Sequence, residues 1–426
     1  VIDRLVSRDV VAAAGIALVA VGLAHRMAFY SEVGMVLVPL GFALLGLAAL
    51  RPDGPPRAYP ILLTVLCVLA ALAPFDPAGP TRVEAGLTIA APVVFYSLGF
   101  FSGGRRARLY IAGMLLVFAH AHYLLRFPHP LHQDVWTFLN GGVDLLARGH
   151  DPYQGVPLME EGVAKTLAYT YPPGALLVLA PFRLLAGDVR WAYIVAEAVV
   201  VVLWGRWLVA RGRADRGLEA LVLIPLALPR TSQAFYIFSN HEWTLLALAL
   251  GALLLALRGR DLIAGIVLGL GVASKQYFVV FPALFVFRGL RRPALVAAVA
   301  VVVVVTTPFL AWDAGHFLTD VLGNLAQTPD ADRLTVWAAL AHVGIRLPRA
   351  GLLLLAATAL GITGLTAWRT RADPSAALCA CGVCLALVAL CSSFAAYNYY
   401  FYALVFVAWG LLLPAGLGWQ RIDLRR

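Results

Sequence analysis

Charge is what this sequence has least of. Only 13% of its 426 residues are Asp, Glu, Lys or Arg, whereas 61% are hydrophobic and the mean hydropathy is +0.83. Soluble domains carry about 25% charged residues, so this composition excludes an ordinary soluble fold. The apolar stretches also lack strict polar/apolar alternation, which excludes a membrane β-barrel. No polar segment is long enough to be a separate nucleotide-binding domain. Lysine is nearly absent: of 33 basic residues only Lys165 and Lys275 are lysine. The formal charge of +10 is spread over short loops without interleaved aromatic platforms, which argues against a nucleic-acid partner. Of the five cysteines, Cys379, Cys381, Cys384 and Cys391 share one apolar stretch with no histidine beside them. They read as small apolar side chains, and neither a metal nor a cofactor is expected.

What is present is a series of apolar runs of about 15 to 20 residues, the length a helix needs to cross ~30 Å of hydrocarbon. The expected fold is all-α, a polytopic helical membrane protein with about fourteen spans. Spans are expected near 10–26, 32–50, 58–76, 86–102, 109–126, 190–206, 218–232, 243–257, 262–275, 276–288, 293–311, 350–368, 374–392 and 399–414. Arg4 and Arg8 place the N-terminal end in the cytoplasm, and residues 10–24 lead into further spans, so they read as a first anchor. The run 171–186 is short and carries Arg183. If it crossed, the basic loop with Arg206, Arg211, Arg213 and Arg216 would lie outside, so it is expected as a re-entrant or embedded helix on the outer face. A second outer-face helix is expected over 332–348, after a polar loop at 312–331. Residues 1–108 then form four additional helices, and 109–426 form the core.

The polar exception is the segment 127–173, which gathers Asp134, Asp144, Asp151, Glu160, Glu161 and His129, His132 and His150 between two hydrophobic blocks. A membrane chain that concentrates ionisable groups in one loop has its chemistry there. Asp134 opens an amphipathic helix running to Arg148, where it acts either as a general base for a hydroxyl or as a helix cap. Gly149 suits a left-handed cap, and Pro152 stops the helix. Lys275, between two apolar runs, either meets an anionic group or snorkels to the interface. Arg230, His241 and Glu242 fall near the outer ends of adjacent spans. Asn398 and Tyr399 lie at the last outer turn, where an aromatic belt is the alternative reading.

The order Asp134, then Gly149-His150-Asp151-Pro152-Tyr153, then Tyr169-Thr170-Tyr171-Pro172-Pro173 before an apolar helix resembles the first extracytoplasmic loop of GT-C glycosyltransferases. More narrowly it resembles glycosyltransferase family 87, polyprenyl-phosphate-mannose-dependent α-1,2-mannosyltransferases, best over about 110–292. The resemblance implies a GT-C-like fold, Asp134 as catalytic base, and an active site open to the periplasmic side of the cytoplasmic membrane. It also implies a polyprenyl-phosphate sugar as donor and a lipid or glycan of the cell envelope as acceptor. Lys275, Arg230 and His241 are then candidates for the donor phosphate. Asp151, Tyr153, Tyr171, Glu242, Asn398 and Tyr399 are candidates for substrate contacts. On this reading Lys275 makes no core contact, so its loss should spare folding. Two departures stand out: four spans precede the loop's own leading helix, and Ser239-Asn240-His241-Glu242-Trp243 replaces the usual polar pattern after the middle spans. The competing class is a transporter or flippase of lipid-linked sugars, whose charges would sit at mid-membrane on broken helices.

The topology is open to direct test. In a cysteine-free background, single cysteines at 134, 165 and 327 should label from outside, and those at 105 and 211 only from the cytoplasm. External labelling at 211 would show that 171–186 crosses.

Overall fold

The computed structural model describes residues 8–24, 31–49, 90–99, 105–126, 134–160, 163–210, 220–228, 235–236, 239–279, 292–323, 332–345, 373–392 and 395–414, with isolated positions between 351 and 365. Helices dominate, because in hydrocarbon each backbone N–H and C=O must find its partner within its own segment. In chain order they are α1 (Arg8–Ala24), α2 (Glu32–Ala49), α3 (Ala91–Gly99), α4 (Arg105–Arg126), α5 (Asp134–Ala147), α6 (Gly174–Ala186), α7 (Trp191–Ala210) and α8 (Ala220–Ala227). There follow α9 (Glu242–Leu257), α10 (Asp261–Val272), α11 (Arg292–Gly323), α12 (Val336–His342), α13 (Pro374–Cys391) and α14 (Tyr397–Leu412).

The core gathers on α14, whose side chains are buried almost without interruption from Tyr400 to Leu412. Such a helix is apolar all round because protein surrounds it on every side. It packs on α13, α9 and α8, and both α1 and α2 reach it. The N-terminal helices therefore lie against the C-terminal ones. By contrast α11 turns Val296, Val299, Val303 and Val304 outward, an apolar exterior suited to lipid.

Four helices among the described residues are long and apolar enough to cross a membrane: Arg108–Arg126, Trp191–Leu208, Arg292–Gly323 and Pro374–Cys391. Five shorter apolar helices, Val10–Leu23, Glu32–Ala48, Gly174–Ala186, Glu242–Leu257 and Asp261–Val272, coincide with other expected runs. The run expected at 58–76 lies outside the described residues, as do most of 276–288 and much of 350–368. The helix expected at 332–348 is described only as the short α12, capped by the Thr335 side chain on Ala338 N–H.

Two local features depart from the sequence reading. The expected all-α chain contains a β-hairpin inside the polar loop, with β1 (Val156–Glu160) antiparallel to β2 (Val163–Leu167) and Val156 opposite Leu167. Val156 is buried beside α5, so the hairpin is held by packing that its five-residue strands do not announce. The expected loop after residue 311 is instead a continuation of α11 to Gly323. The helical path breaks at Asp313 (φ −153°, ψ 91°), and its carboxylate then accepts from His316 N–H as the cap of a new helical stretch.

α10 and α11 meet through small residues. Gly265 and Gly269, one turn apart, face the backbone of Ala294 and Ala298, and a Cβ at Gly269 would lie 2.5 Å from Ala298 O. Helices in lipid approach this closely only through such residues. Gly265→Val should therefore lower stability by about 1–3 kcal/mol, the usual cost of overpacking. Thermal unfolding in nanodiscs would show it, and an unchanged midpoint would mean that the two helices are not in contact.

Candidate active site

α5 begins at Asp134, whose Oδ1 accepts from Val135 N–H at 2.7 Å while the side chain stays exposed. The helix ends as its sequence directs. Gly149 takes φ +77°, and the N–H groups of Gly149 and His150 bond to Leu146 O and Leu145 O, a left-handed terminal motif that suits glycine. One turn beyond Asp134, Phe138 packs edge-on against Tyr171 (5.2 Å) and Tyr169 (5.7 Å). The exposed carboxylate is thus carried to the Tyr-x-Tyr-Pro-Pro turn.

That turn docks on the end of α10. Gly174 N–H bonds to Ala273 O at 2.7 Å, and a Cβ on Gly174 would lie 2.5 Å from that oxygen, so the close approach needs glycine. Gln276 Nε2 donates to Thr170 O (2.6 Å) and Val321 O (3.0 Å). Lys275, between these two anchors, is only 2% exposed. Its Nζ lies 2.5 Å from Glu242 Oε1, 4.7 Å above the Tyr171 ring and 3.5 Å from the Tyr171 hydroxyl. Asn398 Nδ2 donates to the same Glu242 oxygen at 2.7 Å. Tyr399 follows Asn398 on the first turn of α14.

His241 completes the group, with its ring 4.8 Å from that of Tyr171. Burial, reinforced by the Lys275 ammonium, pushes its imidazole down to about 3, so it is neutral near pH 7. Nε2 faces Ser274 O at 3.4 Å and must carry the proton, because a carbonyl only accepts. Nδ1 is then a buried acceptor, suited to a hydroxyl rather than to a phosphate. Tyr171 joins the two parts of the site: burial raises its phenol well above the usual value, and Glu242 and Asp134 both add to the shift.

Of the residues singled out in the sequence, Tyr171, His241, Glu242, Lys275 and Asn398 therefore converge, while Asp134 opens the helix whose Phe138 packs on Tyr171 and Tyr399 follows Asn398 on α14. Arg230 lies outside the described residues. Asp151 and Tyr153 support the group from behind. Asp151 Oδ1 caps the turn at Tyr153 N–H (2.9 Å), and the Tyr153 hydroxyl donates to Tyr171 O (2.8 Å), with its ring buried against Tyr169, Phe309 and Phe317. Sequence reasoning passed over Gln276 and the buried Arg190 and Asp188. The available signal was a charged pair, Asp188-Val189-Arg190, in the short turn between two apolar runs. No group of three or more His, Cys, Asp or Glu among the described residues is arranged to hold a metal ion.

Apolar helices of spanning length, closed over a buried lysine–glutamate pair, define a helical membrane protein with a polar site in its bundle. The chain belongs to glycosyltransferase family 87, whose sequence profile matches residues 169–393, slightly more than half its length. It is accordingly a glycosyltransferase, which favours the enzyme reading over the transporter one. The match takes in Tyr171, His241, Glu242 and Lys275, whereas Asp134, Asp151 and Tyr153 precede it and Asn398 and Tyr399 follow it. Comparison with curated proteins and with solved structures gave no match.

The ion pair corrects the expectation for Lys275. Removing the ammonium leaves Glu242 charged and unmatched in a closed interior, which costs about 3–5 kcal/mol. Lys275→Ala should therefore unfold more easily than wild type, and Lys275→Ala with Glu242→Gln should recover part of the loss. Thermal unfolding of the two variants tests this, and equal stability of Lys275→Ala and wild type would mean that the pair does not form.

Proposed function

We propose that the chain transfers a sugar, with mannose favoured by the family resemblance, from a polyprenyl-phosphate donor to an envelope glycolipid or glycan. The site acts on the outer face of the cytoplasmic membrane within a GT-C-like fold. The observation that carries this reading is Tyr171, which packs on Phe138 of the helix that Asp134 opens and whose ring covers the buried Lys275–Glu242 pair.

Transfer is a single displacement with inversion. The acceptor hydroxyl oxygen attacks C1 of the donor sugar as the bond from C1 to the phosphate oxygen breaks. Polyprenyl phosphate leaves with the electron pair, and Asp134 takes the hydroxyl proton. One base suffices, and the lipid anchors its own leaving group, so no nucleotide-binding domain is needed. The Lys275 ammonium stabilises charge developing on the phosphate, in surroundings of low dielectric where such an interaction is strong. Because Glu242, itself held by the Asn398 amide, pairs with Lys275 from one side, the position of the ammonium is set before the donor arrives. Neutral His241, with Nδ1 accepting, suits a sugar hydroxyl, and Tyr171, Tyr399 and Asn398 supply the remaining polar contacts. Asp151 and Tyr153 contribute by fixing Tyr171.

Label transfer from polyprenyl-phosphate mannose to an alkyl mannoside, by the purified chain in nanodiscs, tests the reading. Asp134→Asn should lower transfer by ~10²–10⁴, the range for a lost general base, and leave donor binding intact. Asp144→Asn and Asp151→Asn should lose less. Normal turnover by Asp134→Asn, or no transfer by wild type, would sink the assignment.

A further inference from the structure

Asp134 occupies the exposed end of α5, yet a general base must stand at a fixed distance from the reacting oxygen. What holds that end in place is a stretch of chain that the proposed reaction does not itself use. We propose that Asp188 and Arg190 form a positioning clamp, acting through the Trp136 indole, that sets Asp134 against the buried Lys275–Glu242 pair. The inference rests on Asp134 being the base.

Arg190 is completely buried, at 0% exposure. Its Nε lies 3.1 and 3.0 Å from the two Asp188 oxygens, and Nη2 lies 2.7 Å from Oδ2, the two-pronged geometry that only a guanidinium offers a carboxylate. Asp188 Oδ2 also accepts from Trp136 Nε1 at 3.1 Å, and the guanidinium carbon lies 5.8 Å from the Trp136 ring centre. Trp136 is two residues from Asp134, within the same helical turn. Asn140, one turn further on, closes a second link: it accepts from Val189 N–H at 3.2 Å and donates to Trp136 O at 2.9 Å. Beyond it Asp144 meets Arg183 Nε and Nη2 at 2.8 and 2.7 Å. One face of α5 is thus tied at Trp136, Asn140 and Asp144 to the end of α6 and the turn before α7.

The same turn holds the other half of the site. Arg190 Nη1 donates to Tyr236 O at 2.6 Å, and the Tyr193 hydroxyl donates to Ser239 O at 2.8 Å. Ser239 has φ +56°, a left-handed conformation uncommon outside glycine, and from it the chain enters His241 and Glu242. Residues 188–193 therefore grip both the helix that begins with Asp134 and the turn that leads to the Lys275 partner. Because the Arg190 side chain takes part in both grips, it fixes the spacing between base and buried pair.

Trp136→Phe removes the indole N–H and keeps the ring packing. In the transfer assay with polyprenyl-phosphate mannose and an alkyl mannoside it should lower kcat roughly 10- to 100-fold, the cost of a displaced reacting group. Donor KM and the thermal midpoint should stay at wild-type values. In an Asp134→Asn background the same change should add little, because the group it positions has lost its role. Arg190→Lys keeps the charge but cannot make the fork, and should lose kcat without regaining the wild-type rate. An equal fold-loss from Trp136→Phe in both backgrounds, a change confined to KM or stability, or wild-type kcat in Arg190→Lys would overturn the clamp and leave Asp134 as base. Wild-type turnover by Asp134→Asn would instead remove the functional reading, and the clamp with it.

Discussion

The ion pair between Lys275 and Glu242 constrains everything around it. A lysine and a glutamate closed inside an apolar bundle are tolerated only together, because either charge alone would stand in surroundings that cannot solvate it. Meeting that condition brings the end of α10 onto the start of α9, and Asn398 on α14 turns its amide to the same carboxylate. The Tyr171 ring then covers the ammonium. Two consecutive helices and the distant α14 are thereby fixed at one point, which lies at the candidate site.

Other charged groups, buried or half-buried, are paired in the same way. Asp188 partners Arg190, Asp144 partners Arg183, and His120 Nδ1 lies 2.9 Å from Glu197 Oε2 between α4 and α7. The second and third pairs, and the bonds that Asp188 and Arg190 make to Trp136 and Tyr236, join elements that apolar packing alone would leave free to slide, since leucine against leucine specifies little. In a bundle whose exterior is equally apolar, polar links carry much of the register. Tyr171 belongs to this system through its backbone as well as its ring, held from behind by the Tyr153 hydroxyl.

Much of this was legible in the sequence. Helices ran where hydrophobic runs had the right length, α5 began at Asp134, and Gly149 ended it, because length, capping chemistry and glycine's left-handed conformation are local properties. The hairpin at 156–167 and the helical continuation past Asp313 were not legible. The first depends on Val156 packing against α5, the second on one carboxylate restarting a helix in a stretch that reads as polar loop. Arg190 was passed over for a related reason: an Asp–Arg pair in a short turn between apolar runs looks like an interface feature until its distant partners are seen.

The sequence by itself determined the medium, the helical class, the family and the short set of polar residues available for chemistry, since composition, run length and motif order are properties of the chain alone. It also supplied Asp134 as the candidate base. Only the tertiary structure decided which polar residues meet and in what state. Lys275 became half of a closed pair rather than an isolated cation, His241 became a neutral acceptor, and Asp151 and Tyr153 became supports. Those outcomes rest on contacts between residues up to 156 positions apart, and a charge's behaviour in a low-dielectric interior is set by the neighbour it reaches.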